Sequence, residues 1–508
     1  MGRPAFVDRG LLICEVLAVT VQKVESVATN RILSLDFQRG VAILVMVLLH
    51  TFERTYDYAW AARSPERILE LPQSTLVIGR IVAYFGSWMA YFLLISAVVN
   101  ALNFARKVAA GRDARQARDK QAITGACILF MGTFFGDLVL SYLSQGLQTG
   151  SWNDLSAPRA SLFEMGTLEL IGWSTIITAF ISYGLLRNGG VVKVHRNLLI
   201  YMGLAGGVIL LSPIVQQWVD GMSWRIPTEL PQKLTMGDHA RWPSVYVQSY
   251  NASLRALLCT IIAGDLEPLF PYLATAFAGS ALGLAIAALP HDRRVPNVGL
   301  IACGALFAIA VPLIVKEGVS FGNNRPLTGE YLTLLGGQLF IICLFLRQVE
   351  YGARTRPFAQ GCLGSRVRLW GMVSLSVYLF SGLVELAPRY VMGNFIRLTG
   401  GQVRDPFLSS SFGLGQEFQA LLLALLVLVC FDRLIGWWSR ANFKYGLEWL
   451  TVTVTAACTG ERSQRLNVGR MVNQHRPRAD GVQDVITDAS AAPATPRDAR
   501  TDRARSRV

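Results

Sequence analysis

The sequence predicts an all-α, polytopic integral membrane protein of about ten transmembrane helices, with both ends on the cytoplasmic side. Three observations predict it. Hydrophobic residues make up 52% of the 508-residue chain and charged residues only 16%, whereas a soluble chain of this length carries more charge and divides into domains. The apolar residues gather in runs long enough to cross a hydrocarbon core. The formal net charge of +14 falls between those runs, densest in short links, as in cytoplasmic loops facing anionic lipid. Nucleic-acid binding is the competing reading of the charge, and no basic recognition motif supports it.

In chain order, residues 1–30 hold one short apolar run, 11–21, too short to span and followed by no small-residue cleavage site. They read as a flexible or amphipathic lead-in. Residues 31–458 form the transmembrane domain. Spans are expected at about 33–52, 76–103, 121–144, 167–186, 197–215, 268–289, 297–315, 329–346, 370–388 and 414–436. The alternative count is eleven, if residues 254–263 or 449–457 enter the membrane. Residues 459–508, rich in Arg, Asp, Ala, Pro and Ser, lack the apolar content to fold and read as a disordered cytoplasmic tail. With the N-terminus inside, the inside links are 104–120, 187–196, 290–296 and 347–369. They are short and rich in Arg and Lys, while the long outer loop at 216–250 is sparser in both. That bias sets the orientation as N-in and C-in. The eight cysteines include no CxxC pair and fall mostly in apolar runs, so neither a metal site nor a disulfide framework is expected.

The first span, RILSLDFQRGVAILVMVLLH, opens with charged residues and ends on a histidine. At about 100° per residue Asp36, Arg39, Ile43, Met46 and His50 share one stripe. Arg39 and His50 are separated by roughly 16 Å of helix axis at 1.5 Å per residue. Ionisable residues inside a span belong on an interior or wet face, not against lipid.

That stretch resembles the first helix of the transmembrane acyltransferase superfamily. The group includes the heparan-α-glucosaminide N-acetyltransferase catalytic family and bacterial acyltransferases that modify sugars and glycans. The resembling residues are Arg31, Leu35, Asp36, Arg39, Gly40, Ala42 and His50. EPLFPYLATAFAGSALG, from Glu267 to Gly283, looks like a "PLFPWLG…GxxLG" span of heparan-acetyltransferase-like bacterial proteins. WGMVSLSVYLF is similar to their "GxxSLxxY" span, and FKYGLEWL resembles the "FxxGPLEWL" close of a related bacterial membrane family. The likeness covers about 31–450. The chain departs from it at Ala97, where a glycine is usual, and at Ser381, near the place of a common histidine. The proline of the last motif is absent, and the loop after His50 lacks the histidine that the eukaryotic heparan enzyme carries there.

The resemblance implies an acyl-CoA, most often acetyl-CoA, as donor and a sugar or glycan hydroxyl or amine as acceptor. A neutral His50 imidazole can take a proton from the acceptor, or be acylated itself; otherwise it is an interfacial histidine bonded within the bundle. Arg39 can hold a CoA phosphate or the thioester carbonyl, or form a structural ion pair with Asp36. Asp36 joins the catalytic set chiefly by orienting Arg39. Asp238 and His239, in an outer loop with several tryptophans, are candidates for binding the acceptor, as is Glu267; a solvated loop pair is the plainer reading of the first two. Asp137 sits inside the third apolar run, where burial is costly. Ser376 and Tyr378 read as core, and Gly446 and Glu448 as a turn or membrane-surface anchor.

Two non-enzymatic readings stand beside this. The same buried charges could line the path of a transporter or flippase-like protein. Alternatively, the charged tail could recruit other proteins to a structural membrane partner. The expected partners are the bilayer, the acyl donor and the acceptor, with no nucleic acid; self-association is left open. The expected location is the plasma membrane.

Overall fold

The computed structural model describes residues 32–460, except 58–69, 154–161, 163–164, 223–252, 265–266, 291, 319–324, 353–360, 402, 404 and 414. The lead-in, the loop holding Asp238 and His239, and the tail lie outside the described residues. Among the described residues the regular structure is helical, with a single isolated bridge between Tyr56 and Phe412. Among the described residues nine helices are long and apolar enough to cross a membrane, or ten if a bent pair is counted as one span. The chain is an all-α polytopic membrane protein.

The helices in order are α1 (Leu33–Thr55), α2 (Gln73–Gly86), α3 (Ala90–Ala109) and α4 (Ala114–Phe130). α4 continues through ten residues of π-helix, Met131–Leu140, into α5 (Ser141–Thr149). Then follow α6 (Thr167–Leu186), α7 (Val194–Asp220), α8 (Leu254–Ala263), α9 (Leu269–Ala288), α10 (Arg294–Glu317) and α11 (Thr328–Phe345). The last are α12 (Cys362–Met372), α13 (Ser374–Val384), α14 (Leu386–Leu398), α15 (Glu417–Ser439) and α16 (Leu447–Thr459). With 10 and 13 residues, α8 and α16 fall short of the roughly 20 that a span requires.

The centre of the bundle is α9, with 89% of its apolar window buried, against 11% for α10 at the periphery. Small residues explain how α9 sits there. A Cβ on Gly279 would lie 2.8 Å from the Leu94 carbonyl oxygen, and one on Gly283 would collide with that of Val98. Two glycines four apart therefore let α9 and α3 meet backbone to backbone, as small residues do between membrane helices. Gly40 and Gly371 do the same where α1 crosses α12: their Cβ atoms would meet the Val367 and Asp36 carbonyl oxygens.

The expected ninth span, 370–388, is broken. α12 and the helices after it are bent by 81° at Val373. The turn leaves backbone donors at the start of α13 without intrahelical partners, and Glu448 meets them from the start of α16, accepting from the N–H of Leu375 at 2.6 Å and of Ser376 at 3.1 Å. Glu448 is therefore a helix cap rather than a surface anchor.

Candidate functional site

α1 places Met46, His50 and Arg54 at four-residue steps, so all three project from one face, and that face lines a cavity of about 470 Å³. The volume lies within the range of small-molecule sites. The opposite wall is the α4–α5 helix, which contributes Gly136, Leu140, Ser141, Ser144 and Gln148. Gly136 and Leu140 belong to the π-helical segment, where the wider turn shifts the register of the wall, a feature common at functional sites. Tyr378, Ser381 and Glu385 close it from α13 and its end, with Arg389 and Ser409 beyond.

At the base of the cavity a carboxylate lies between two guanidinium groups. Glu385 and Arg389, on one face at i and i+4, are 1% and 2% exposed. Glu385 Oε1 is 3.1 Å from Arg54 Nη1 and 3.0 Å from Arg389 Nη1, and Thr51 donates its hydroxyl to Oε2 at 3.1 Å. Arg389 spends its other donors on the Phe407 carbonyl at 2.6 Å and the Ser409 hydroxyl at 2.8 Å. Burial of these charges is tolerable because each is paired and hydrogen-bonded. The Arg54 side chain remains 39% exposed, so the one positive charge in excess within this trio is presented to the cavity. His50 Nδ1 lies 3.6 Å from Glu53 Oε2, a pairing that is ionic only when the imidazole is protonated.

A loop holds this end together. Ser410 donates its N–H to the Arg54 carbonyl at 3.0 Å, and Ser411 and Phe412 both donate to that of Thr55. Asp405 shapes the loop by accepting from the N–H groups of Phe407 and Ser409 at 3.0 and 3.1 Å. Burial pushes the Asp405 carboxyl up, but these hydrogen bonds and the nearby Arg389 outweigh it and hold the carboxyl below its usual value.

Behind Tyr378 lies a second polar group. Tyr378 sits among Glu267, Thr167, Glu169 and Asp137. Thr167 donates to Glu267 Oε1 at 2.5 Å, and Thr133 to Glu169 Oε1 at 3.2 Å. Glu267 is 4% exposed, and its Oε2 has no hydrogen-bond partner among the described residues.

The structure separates the residues that the sequence nominated. His50 lines the cavity. Asp36 and Arg39 lie at the other end of α1, partly buried and each engaged in other interactions. Glu267 is buried, accepts from Thr167, and does not line the cavity. Asp238 and His239 lie outside the described residues. Arg54, Glu385 and Arg389 complete the site without having been nominated. Their signal was present: Arg54 follows His50 by four residues on the same face, and Glu385 and Arg389 interrupt an apolar run, where ionisable residues mark function. The fold and the cavity define a multi-pass membrane protein with a charged cavity at one end of its first span. No protein-family model matches the chain, and no curated protein matches it.

Proposed function

We propose that the protein is an integral membrane acyltransferase of the plasma membrane, moving an acyl group, foremost acetyl, from cytoplasmic acyl-CoA to a sugar or glycan hydroxyl or amine at the outer face. The observation that carries the proposal is the shared placement of His50 and Arg54 on one cavity wall, beside the hydroxyl-bearing Tyr378, Ser381 and Ser409. The likeness of the first helix to acyltransferases supports it independently.

In this reading a neutral His50 takes the proton of the acceptor O–H or N–H as the acceptor attacks the thioester carbonyl carbon. The carbonyl electron pair moves to oxygen, and the exposed part of the Arg54 guanidinium stabilises that charge. Collapse of the intermediate breaks the C–S bond. The imidazolium returns its proton to the leaving thiolate, so His50 ends neutral. Glu385 and Arg389 position Arg54. Arg39, toward the cytoplasmic end, is suited to a phosphate of the donor.

The test uses purified full-length protein in sealed vesicles, with labelled acetyl-CoA on the cytoplasmic side and a cell-envelope glycan extract on the other. Label transfer that disappears in His50→Ala supports the proposal. Folded protein that neither cleaves the thioester nor transfers label, with acetyl or longer acyl donors, overturns it. The second reading, a transporter, draws on the buried Glu169 and Glu267 behind Tyr378. It predicts substrate flux that needs no acyl donor.

A further inference from the structure

A second cavity, of about 280 Å³, lies at the far end of the α4–α5 helix from His50. From Arg115 to Ser144 the separation is roughly 40 Å along the helix at about 1.5 Å per residue. The cavity forms where α3 ends, α4 begins and α6 ends. Gly111, with φ of 78°, terminates α3 in the left-handed conformation, and the chain turns back so that Arg112 and Arg115 meet Arg187 and Asn188 across the opening.

The arginines are organised around one ring. Arg115 Nε donates to the Tyr183 hydroxyl at 3.3 Å. The guanidinium groups of Arg118 and Arg187 lie 4.8 and 5.3 Å from the Tyr183 ring centroid. Arg118 is neutralised by Asp119, at 2.6 Å. Among the described residues, Arg112, Arg115 and Arg187 form no ion pair. The single carboxylate on the cavity wall, Asp113, accepts from the Arg115 N–H at 2.9 Å as the cap of α4. Three guanidinium groups against one carboxylate leave two positive charges converging on an open cavity. All three side chains are exposed, so solvent screens their mutual repulsion and leaves their donors available to an anion. Planar guanidinium forks match the oxygens of carboxylates and phosphates, and the charge of about −1.5 to −2 on a phosphate ester balances the two-charge excess. Phe180, one helical turn from Tyr183 and beneath Arg118 at 5.5 Å, is 54% exposed and marks an apolar approach to the same place.

We propose that Arg112, Arg115 and Arg187, arrayed around Tyr183, form a binding site for a phosphate ester. The ester is either the headgroup of an anionic phospholipid, whose chains would lie along Phe180, or a soluble phosphorylated molecule. The site stands apart from the acyl-transfer proposal, since binding is measured here without any transfer.

The full chain is reconstituted in phosphatidylcholine nanodiscs and titrated calorimetrically with adenosine 3′,5′-bisphosphate. In parallel it is placed in nanodiscs that also contain phosphatidic acid, and retained lipid is counted by native mass spectrometry. Saturable binding in the first arm assigns a soluble ligand; retention in the second arm alone assigns a lipid. In either case Arg112→Gln/Arg115→Gln/Arg187→Gln weakens binding at least about tenfold, as expected from losing charge-assisted hydrogen bonds. Arg293→Gln/Arg294→Gln/Arg347→Gln, which removes equal charge elsewhere, leaves binding intact. Replacing the same three cavity arginines by lysine keeps the charge but loses the forks, and also weakens binding; this variant decides the matter if the glutamine variant misfolds. Absence of binding in both arms, or equal loss in the two glutamine variants, overturns the proposal.

Discussion

Glu448 holds Ser376 by two hydrogen bonds, one from its backbone N–H at 3.1 Å and one from its hydroxyl at 2.5 Å. Ser376 in turn accepts the Leu447 N–H at 2.9 Å. The residues are 72 positions apart, and the exchange joins the start of α16 to the start of α13. A carboxylate at a helix N-terminus also opposes the positive end of the macrodipole. The bend at Val373 thus depends on a partner from the end of the domain, and the bend aims Tyr378, Ser381 and Glu385 at the cavity.

Glu448→Ala is therefore expected to destabilise the fold by about 1–3 kcal/mol, the cost of leaving buried donors unsatisfied. Glu448→Gln keeps an acceptor but loses the charge, and is expected to cost less. Thermal unfolding in detergent ranks the two. Equal melting temperatures for wild type and Glu448→Ala would rule out the capping role.

How much of this was legible in the sequence depends on the range over which each feature is encoded. The spans are local: an apolar run such as VAILVMVLLH declares itself within about 20 residues, and each expected span from 33–52 to 414–436 corresponds to a long apolar helix or to the bent pair. His50 is equally local, a histidine closing an apolar run. The break at Val373 is not local, because GMVSLSVYLF stays apolar through it and the compensating Glu448 is remote in sequence. Arg54, Glu385 and Arg389 become a site only when the end of α1 meets the junction of α13 and α14, although each alone breaks an apolar pattern. Gly40, in the same motif as Arg39, has a packing role: it lets α1 approach α12.

Gly40→Val tests that role. Its Cβ would collide with the Val367 carbonyl oxygen, a backbone atom that cannot rotate away. Overpacking of this kind costs about 1–3 kcal/mol or more. The expected result is a lower melting temperature and poorer recovery of folded protein. Gly304→Val, at a position where a Cβ would meet nothing beyond its own helix among the described residues, is expected to be nearly neutral.

Asp405 supplies a pH dependence with a definite sign. Its carboxyl is held below its usual value in the folded protein. Its contribution is complete above the carboxyl's value in the unfolded chain and is lost as pH falls through the lower, folded value. The loop from Asp405 to Phe412 should therefore loosen first at the acid end of the carboxylate range. Hydrogen exchange at Phe407 and Ser409, whose N–H groups Asp405 accepts, should rise there relative to the bundle core. Asp405→Asn should show the same loosening at neutral pH. The effect is modest, because the group is partly exposed to solvent.

Glu385 gives the largest predicted effect, because it compensates two arginines at once. Removing it in Glu385→Ala leaves the 2%-exposed Arg389 without its carboxylate, and breaking a buried pair from one side costs about 3–5 kcal/mol. That variant is expected to fold poorly. Glu385→Gln separates folding from function. The amide can still accept from Arg54 and Arg389, so the cavity wall should persist with reduced stability. The cavity then carries one more uncompensated positive charge, and Arg54 is no longer fixed by a carboxylate. If Arg54 stabilises a developing oxyanion, transfer in Glu385→Gln falls mainly in kcat, since a misplaced transition-state group costs rate rather than ground-state binding. Arg54→Lys, which keeps the charge but loses the planar fork, should show the same pattern. A rise in KM with kcat unchanged would instead place Arg54 in ground-state binding of an anionic substrate.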